Sequence, residues 1–248
     1  QNQRGQNNRL FKGEKILGKV CVITGVGPGN GASFSRRFTE EGYTVVMLAR
    51  NAAYLEALAG EIPGSVAMEC DVRKPEAVKS VFARIHKEIG AVDTLLYNAG
   101  AGEWAPIMET SMEGMLSSWT TNTLGLVMCS QQVIPAMTEK GEGNIMVIGA
   151  TASLRGGARS TAFSSAKAAQ RSVAQSMARD LGPKGIHVGY LIIDGIIDLE
   201  RTRKRMPDKS DDFFMRPDAI ADNVYAMTQQ DRSAWAFEID LRPYGERW

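Results

Sequence analysis

The chain has 248 residues and a formal net charge of +1, with 44% hydrophobic and 23% charged residues. That is enough to bury one sizeable core, and there is no basic excess or stripe of the kind nucleic acid selects, so a single α/β domain is expected and a nucleic-acid partner is not. Three separated cysteines in apolar runs, two histidines in unrelated segments and no apolar run near the ~20 residues that span a bilayer argue against a disulfide framework, a metal site and a membrane span. The expectation is a soluble protein of a reducing compartment, cytoplasmic first.

Residues 1–17 form a polar, basic leader with no acid before Glu14, which fits a processed transit peptide of an organellar matrix or stroma, a cloning scar or a native arm. The domain is expected to occupy residues 18–248. Strand-like runs then recur at near-regular intervals: "KVCVIT", "TVVMLA", "SVAMEC", "VDTLLYN", "GNIMVIG", "HVGYLII" and "WAFEIDL". Helix-length segments separate the first six, as in "KPEAVKSVFARIHKEIG", where Ala77, Val78, Val81, Phe82 and Ile85 repeat at helical spacing. Strands alternating with helices predict a Rossmann-type three-layer sandwich around a doubly wound, mostly parallel sheet of about seven strands.

The first strand runs into "TGVGPGNGASF", where Gly25, Gly29 and Gly31 precede an amphipathic helix starting at about Asn30. Glycine permits a sharp turn and close backbone approach to a pyrophosphate, and the helix start offers unpaired N–H groups with a positive dipole end. A glycine-rich turn without a ligand is the plainer alternative. The second strand ends at Ala49 and Arg50. An acid there suits free ribose hydroxyls and an arginine suits a 2′-phosphate, so NADP(H) is favoured over NAD(H). Asp71, closing the third strand, is either an acceptor for an adenine amino group or the N-cap of the helix beginning near Lys74.

Further along, "YNAG" covers Tyr97 to Gly100 and "TTNTLG" surrounds Asn122. Trp104 and Met108 follow the first of these, where plain packing is the ordinary role of such residues. Ser153, Arg155 and Arg159 follow the fifth strand, either as loop surface or as contacts for an anionic substrate. In "TAFSSAKAA", Phe163 and Lys167 stand four residues apart and so share a helix face, while Ser164 and Ser165 turn away from it. The direction of Tyr190 on the sixth strand is not given by pattern. An irregular excursion is expected from about Ile196 to Arg216, with "RTRKR" as a solvated or substrate-covering loop, and Tyr244 and Trp248 close the chain at a possible subunit boundary.

From Gly18 onward the order and spacing of "TGVGPGNG", "CDV", "YNAG", "TTNTLG" and the AxxxK spacing at Lys167 resemble the short-chain dehydrogenase/reductase family. The resemblance implies a bound nicotinamide dinucleotide contacted by Thr24, Gly25, Gly29, Asn30, Gly31, Arg50, Asp71, Val72, Asn98, Ala99, Gly100, Lys167, Gly195 and Ile196. It also implies homodimers or homotetramers built on long helices over about 112–137 and 161–181. Within the family's catalytic set, Asn122 matches the asparagine that holds a relay water and Lys167 the lysine that binds ribose hydroxyls. The tyrosine position falls on Phe163, and the serine position, thirteen residues earlier, falls on Ala150, with Thr151 reached only by a one-step realignment. Asp194 replaces the proline of a PG turn, and Leu199 a following threonine.

A positioned acid contributes about 10²–10⁴-fold to carbonyl reduction, and the usual hydroxyls are missing at those two positions. Three readings follow. The chain is an NADP(H)-dependent oxidoreductase acting on a small molecule, its proton coming from a water held by Asn122 and Lys167 or from Asp194. Or it binds NADP(H) without turnover, as a structural or regulatory subunit of a larger assembly. Or it is a hydride-independent cyclase or isomerase.

Overall fold

The computed structural model describes residues 18–245; the leader of residues 1–17 and Trp248 lie outside them. The first apolar run forms β1 (Val20–Thr24), buried along its whole length. A strand covered on both faces needs no alternation, which is why the runs read as continuous apolar blocks. After it come α1 (Asn30–Glu40), β2 (Thr44–Ala49), α2 (Ala52–Glu61), β3 (Ser65–Glu69), α3 (Pro75–Glu88), β4 (Thr94–Tyr97), α4 (Met112–Trp119), α5 (Gly125–Lys140) and β5 (Gly143–Ile148). The second half adds α6 (Thr161–Leu181), β6 (Ile186–Ile193), β7 (Ile196–Ile197), α7 (Glu200–Arg205), β8 (Phe214–Met215), α8 (Pro217–Thr228) and β9 (Glu238–Leu241).

Seven strands form one parallel sheet in the order β3-β2-β1-β4-β5-β6-β9, the Rossmann-type arrangement expected. One face is buried under Phe82 and Ile85 of α3, Leu126 and Val133 of α5 and Ala174 of α6. The other is buried under Phe34 and Phe38 of α1, Leu55 of α2 and Val224 of α8. The chain winds outward from β1 to β3 and then returns to β4 on the other side. The strand order therefore reverses between β1 and β4, and the crevice at such a switch point is where doubly wound sheets bind ligands.

Three local expectations change. The segment 112–137 is not one α-helix: a π-helical turn over Thr120–Leu124 separates α4 from α5. The excursion over 196–216 is organised by the parallel pairing of β7 with β8 and by α7, which carries "RTRKR". Asp71 does not cap α3, whose N-cap is Lys74 without a side-chain cap bond; its side chain accepts instead from the N–H of Arg73 at 3.1 Å.

Candidate active site

The glycine turn is built so that side chains are excluded from it. A Cβ on Gly25 would lie 2.5 Å from Ala99 Cα, one on Gly31 would lie 2.6 Å from Val26 Cα, and Gly25 and Gly29 have φ of 69° and 132°. Such positive φ values suit glycine. Thr24 and Asn98 tie the turn to β4: Thr24 Oγ1 accepts from the N–H groups of Asn98 at 3.2 Å and Ala99 at 3.3 Å, and Asn98 Nδ2 donates to Gly25 O at 2.8 Å. α1 starts here with no side-chain cap and no acid in its first turn, and Asn30 Oδ1 is buried without a partner. Its end thus offers an undiluted positive pole beside a backbone cradle, which fits a pyrophosphate.

At the ends of β2 and β3, Arg50 is exposed. Asp71 is gripped by Arg73, with Nε 2.9 Å from Oδ1 and Nη2 2.7 Å from Oδ2. Hydrogen bonds from Arg73, with a smaller contribution from the charge of Arg50, hold the Asp71 carboxyl down at about 2. The ends of β2 and β3 therefore carry two guanidinium groups and one carboxylate, with buried Val72 next along the chain.

Across the switch point, Asn122 sits in the π-turn and is fully buried. Its Nδ2 donates to Ala101 O at 2.6 Å and Ser118 O at 2.8 Å, while Oδ1 is buried without a partner; a Cβ on Gly100 would lie 3.4 Å from that oxygen. The phenol of Tyr97 donates to Thr121 O and is buried, which drives its pKa far up, so it anchors the π-turn and is no proton source.

Lys167 projects from α6 and is 6% exposed. Its Nζ donates to Ile148 O at 2.8 Å and to Gln170 Oε1 at 3.0 Å, and lies 6.0 Å from the Phe163 ring centroid. Burial pulls its pKa down to about 7. The Phe163 ring leans on Trp104, with centroids 5.2 Å apart and planes at 38°, and a Cβ on Gly102 would strike it at 2.7 Å. Trp104 and Met108 are 59% and 92% exposed, so neither belongs to the core, and Trp104 packs its face toward Phe163. Phe163 and Trp104 thus place aromatic carbon beside Lys167.

Hydroxyls are present nearby, but beneath the surface. Tyr190 on β6 is fully buried, with its OH 2.7 Å from Ser153 Oγ and 3.1 Å from Gln170 Oε1. Its ring crosses the end of β5, where a Cβ on Gly149 would lie 2.2 Å from its Cε1. Ser153 is therefore an interior residue and not loop surface, while Arg155 and Arg159 are exposed. Ser164 Oγ pairs with Ser160 Oγ at 2.7 Å and Ser165 Oγ donates to Ala162 O at 3.2 Å, so both turn to local partners.

Asp194 is 3% exposed and fully engaged. Thr151 Oγ1 donates to its Oδ1, and Arg242 Nη2 lies 3.0 Å from its Oδ2. Ala150 is the N-cap of the short 3₁₀ turn Thr151–Ser153 and carries no hydroxyl, and the Thr151 hydroxyl is given to Asp194. Beyond Asp194, Gly195 packs against Pro243 and Met215, Ile196 pairs with Phe214, and Leu199 reaches back to the glycine turn, its Cδ2 2.5 Å from where a Gly29 Cβ would stand.

Sequence reasoning missed Gln170, Arg73 and the inward course of Tyr190. The available signals were the spacing of Lys167, Gln170 and Ala174 along one helix face and a glycine, Gly149, at the end of β5.

Comparison with known proteins agrees with this architecture. A family model described as short chain dehydrogenase matches residues 19–210. A curated 3-oxoacyl-[acyl-carrier-protein] reductase of Bos taurus is 29% identical over 188 residues, 75% of this chain and 79% of that protein. Among solved structures, a short-chain dehydrogenase from Rhodopseudomonas palustris is 33% identical with a TM-score of 0.79, covering 91% of this chain and 99% of that one. An alcohol dehydrogenase from the archaeon Thermococcus sibiricus, complexed with 5-hydroxy-NADP, is 25% identical with a TM-score of 0.83, covering 92% and 98%.

Proposed function

The chain belongs to the short-chain dehydrogenase family, and from that premise we propose that it is a divergent NADP(H)-dependent oxidoreductase acting on a small molecule without a tyrosine or serine hydroxyl at the reacting atoms. The observation that carries this reading is the pairing of an open, uncapped glycine cradle with a buried lysine whose neighbour along the helix face is Phe163. The cradle residues Gly25, Gly29 and Gly31 would receive the pyrophosphate, Arg50 the 2′-phosphate, and Asn98, Gly100 and Asn122 would line the nicotinamide end. NADPH bound there would supply a hydride.

The chain's own residues then decide the substrate. Phe163 and Trp104 offer two aromatic faces in contact with each other, and Trp104 is exposed. These surfaces exclude water from the reacting carbon and favour a flat, apolar acceptor. A conjugated double bond or an imine already carrying charge suits the site best, because neither needs an acid of a tyrosine's reach. Asp194 is committed to Thr151 and Arg242 and serves to fix the loop after β6, not as an acid. A second copy of the chain would cover the exposed Met112 and Leu116 of α4, which supports a homodimer or homotetramer.

Calorimetric titration with NADPH and NADH, followed by a hydride-transfer screen of enones, imines and ketones, tests the reading. Micromolar NADPH binding with turnover of at least one acceptor class is expected. NADPH binding by the unmodified chain, with turnover appearing only when Ala150→Ser and Phe163→Tyr are combined, would instead support the inert subunit.

A further inference from the structure

Gln170 joins Asn122 and Lys167, the two residues that the resemblance links through a relay water. Its Nε2 donates to the main-chain carbonyl of Asn122 at 2.8 Å and its Oε1 accepts from Lys167 Nζ at 3.0 Å, so one carboxamide spans the lysine and the π-turn. Gln170 is fully buried, and the same Oε1 also accepts from the Tyr190 phenol. A water in that place can take a proton on one side and release one on the other; a carboxamide has no proton to exchange near neutral pH. The chain of hydrogen bonds therefore ends at the ammonium.

The remaining groups packed around Nζ restrict where its proton can go. From β5, Ile148 O takes one N–H; from α6, Gln170 takes a second. β6 contributes Tyr190, whose OH points at Gln170 Oε1 and at Lys167 O (3.4 Å), and no charged group among the described residues shifts the amine. Ser153 is neutral and bonded to Tyr190, and Asn122 is neutral, its Nδ2 bonded to Ala101 O and Ser118 O and its Oδ1 without a partner. No ion pair reaches Lys167 among the described residues, and Asp194 is engaged with Thr151 and Arg242. An ammonium has three N–H groups, so one is left after these two acceptors, and Nζ lies 6.0 Å from the centroid of the Phe163 ring on the same helix face.

Building on the functional reading above, we propose that Gln170 is a positioning residue that replaces the relay water, and that Lys167 is thereby the terminal proton donor to the substrate. In the step, an Nζ–H bond breaks as the new bond between that proton and the acceptor atom forms. The electron pair for the carbon arrives as the hydride of the bound dinucleotide, and the lysine is left as a neutral amine. It regains its proton from water entering the cleft after product departs. The low pKa of the buried amine lets it hold and give up a proton in the neutral range.

The test uses the full chain with lysine labelled at ¹³Cε and ¹⁵Nζ, the Lys167 signal being the one absent from Lys167→Arg. Its titration is followed by NMR with and without NADPH, alongside the pH profile of single-turnover reduction of phenanthrenequinone and cyclohexenone. A midpoint near 7 is expected in the free protein. Gln170→Glu, which places a carboxylate beside the amine, should raise that midpoint by at least about one pH unit and carry the falling limb of the rate profile with it. Gln170→Met should lower both. Rescue of the wild-type profile by Gln170→Asn is not expected, because the shorter amide cannot span both partners. A rate profile that stays put when the NMR midpoint moves would overturn the donor role alone, as would no turnover of either probe. Failure to bind NADPH overturns the functional reading, and the donor role with it.

Discussion

The glycine turn after β1 and the lysine pocket beneath β5 lie at the same edge of one sheet, yet they treat polar atoms in opposite ways. In the turn, the start of α1 has no side-chain cap and Asn30 Oδ1 is buried with no partner, so polar capacity is held open for something outside the chain. In the pocket, Lys167, Gln170, Tyr190 and Ser153 bond to one another, and one N–H of the ammonium is left over. An open polar surface awaits a ligand's charge; a closed network sets the orientation and proton affinity of one group. The first therefore reads as recognition and the second as tuning of the amine.

The sharpest way to break this comparison is to remove the tuned charge. The folded chain releases the Lys167 proton at about 7, whereas the unfolded chain keeps it up to the ordinary lysine value of 10.5. Between those values the unfolded form binds one more proton, so the wild type gains stability as pH rises through the window, and below 7 the burial penalty is complete. Denaturant titrations of the wild type and Lys167→Met should therefore diverge in the wild type's favour by roughly 3 kcal/mol between pH 7 and 9.5. A constant difference across that range would mean that the amine is not tuned. On the turn side, Gly31→Ala should cost about 1–3 kcal/mol through overpacking against Val26 and abolish measurable NADPH binding by calorimetry.

These two regions also differ in how much of them could be read before the fold was known. Close approach and positive φ leave their mark in residue type, so Gly25, Gly29 and Gly31 announced the turn, and the helix start at Asn30 fell where expected. Lys167 and Phe163 were readable because helical spacing is local. Gln170 bonds to Asn122 across 48 positions in the chain, and no local pattern encodes such a partner. Tyr190 stayed ambiguous for a different reason: β6 is buried at every position, so there is no alternation to tell which face a side chain takes. The π-turn at Asn122 escaped notice because its sequence is as helix-compatible as its flanks.

A third, smaller effect separates recognition of the dinucleotide from recognition of its phosphate. Arg50→Ala should weaken NADPH by about 1.5–3 kcal/mol, the contribution of a charge-assisted hydrogen bond, and leave NADH nearly unchanged. Equal losses for both would assign Arg50 to the adenosine as a whole. Asp71, already paired with Arg73, is the internal control: Arg73→Ala frees a carboxylate that would repel the same phosphate.

The smallest expected change lies within the closed network and tests whether it acts as a unit. Tyr190→Phe keeps the ring that crosses Gly149 and deletes only the oxygen shared with Ser153 and Gln170, so packing is preserved. The loss expected is about 1 kcal/mol of stability, since Ser153 Oγ still accepts from Ala150 N–H at 3.1 Å and Gln170 keeps Lys167 and Asn122. NADPH affinity should not move, because no atom of Tyr190 reaches the cleft. The Lys167 midpoint, in contrast, should rise slightly, as Gln170 Oε1 sheds a competing donor and bonds the ammonium more strongly. A Tyr190→Phe protein with unchanged lysine titration would confine the tuning to Gln170 and Ile148 O, and the phenol would then be a packing group that happens to carry an oxygen.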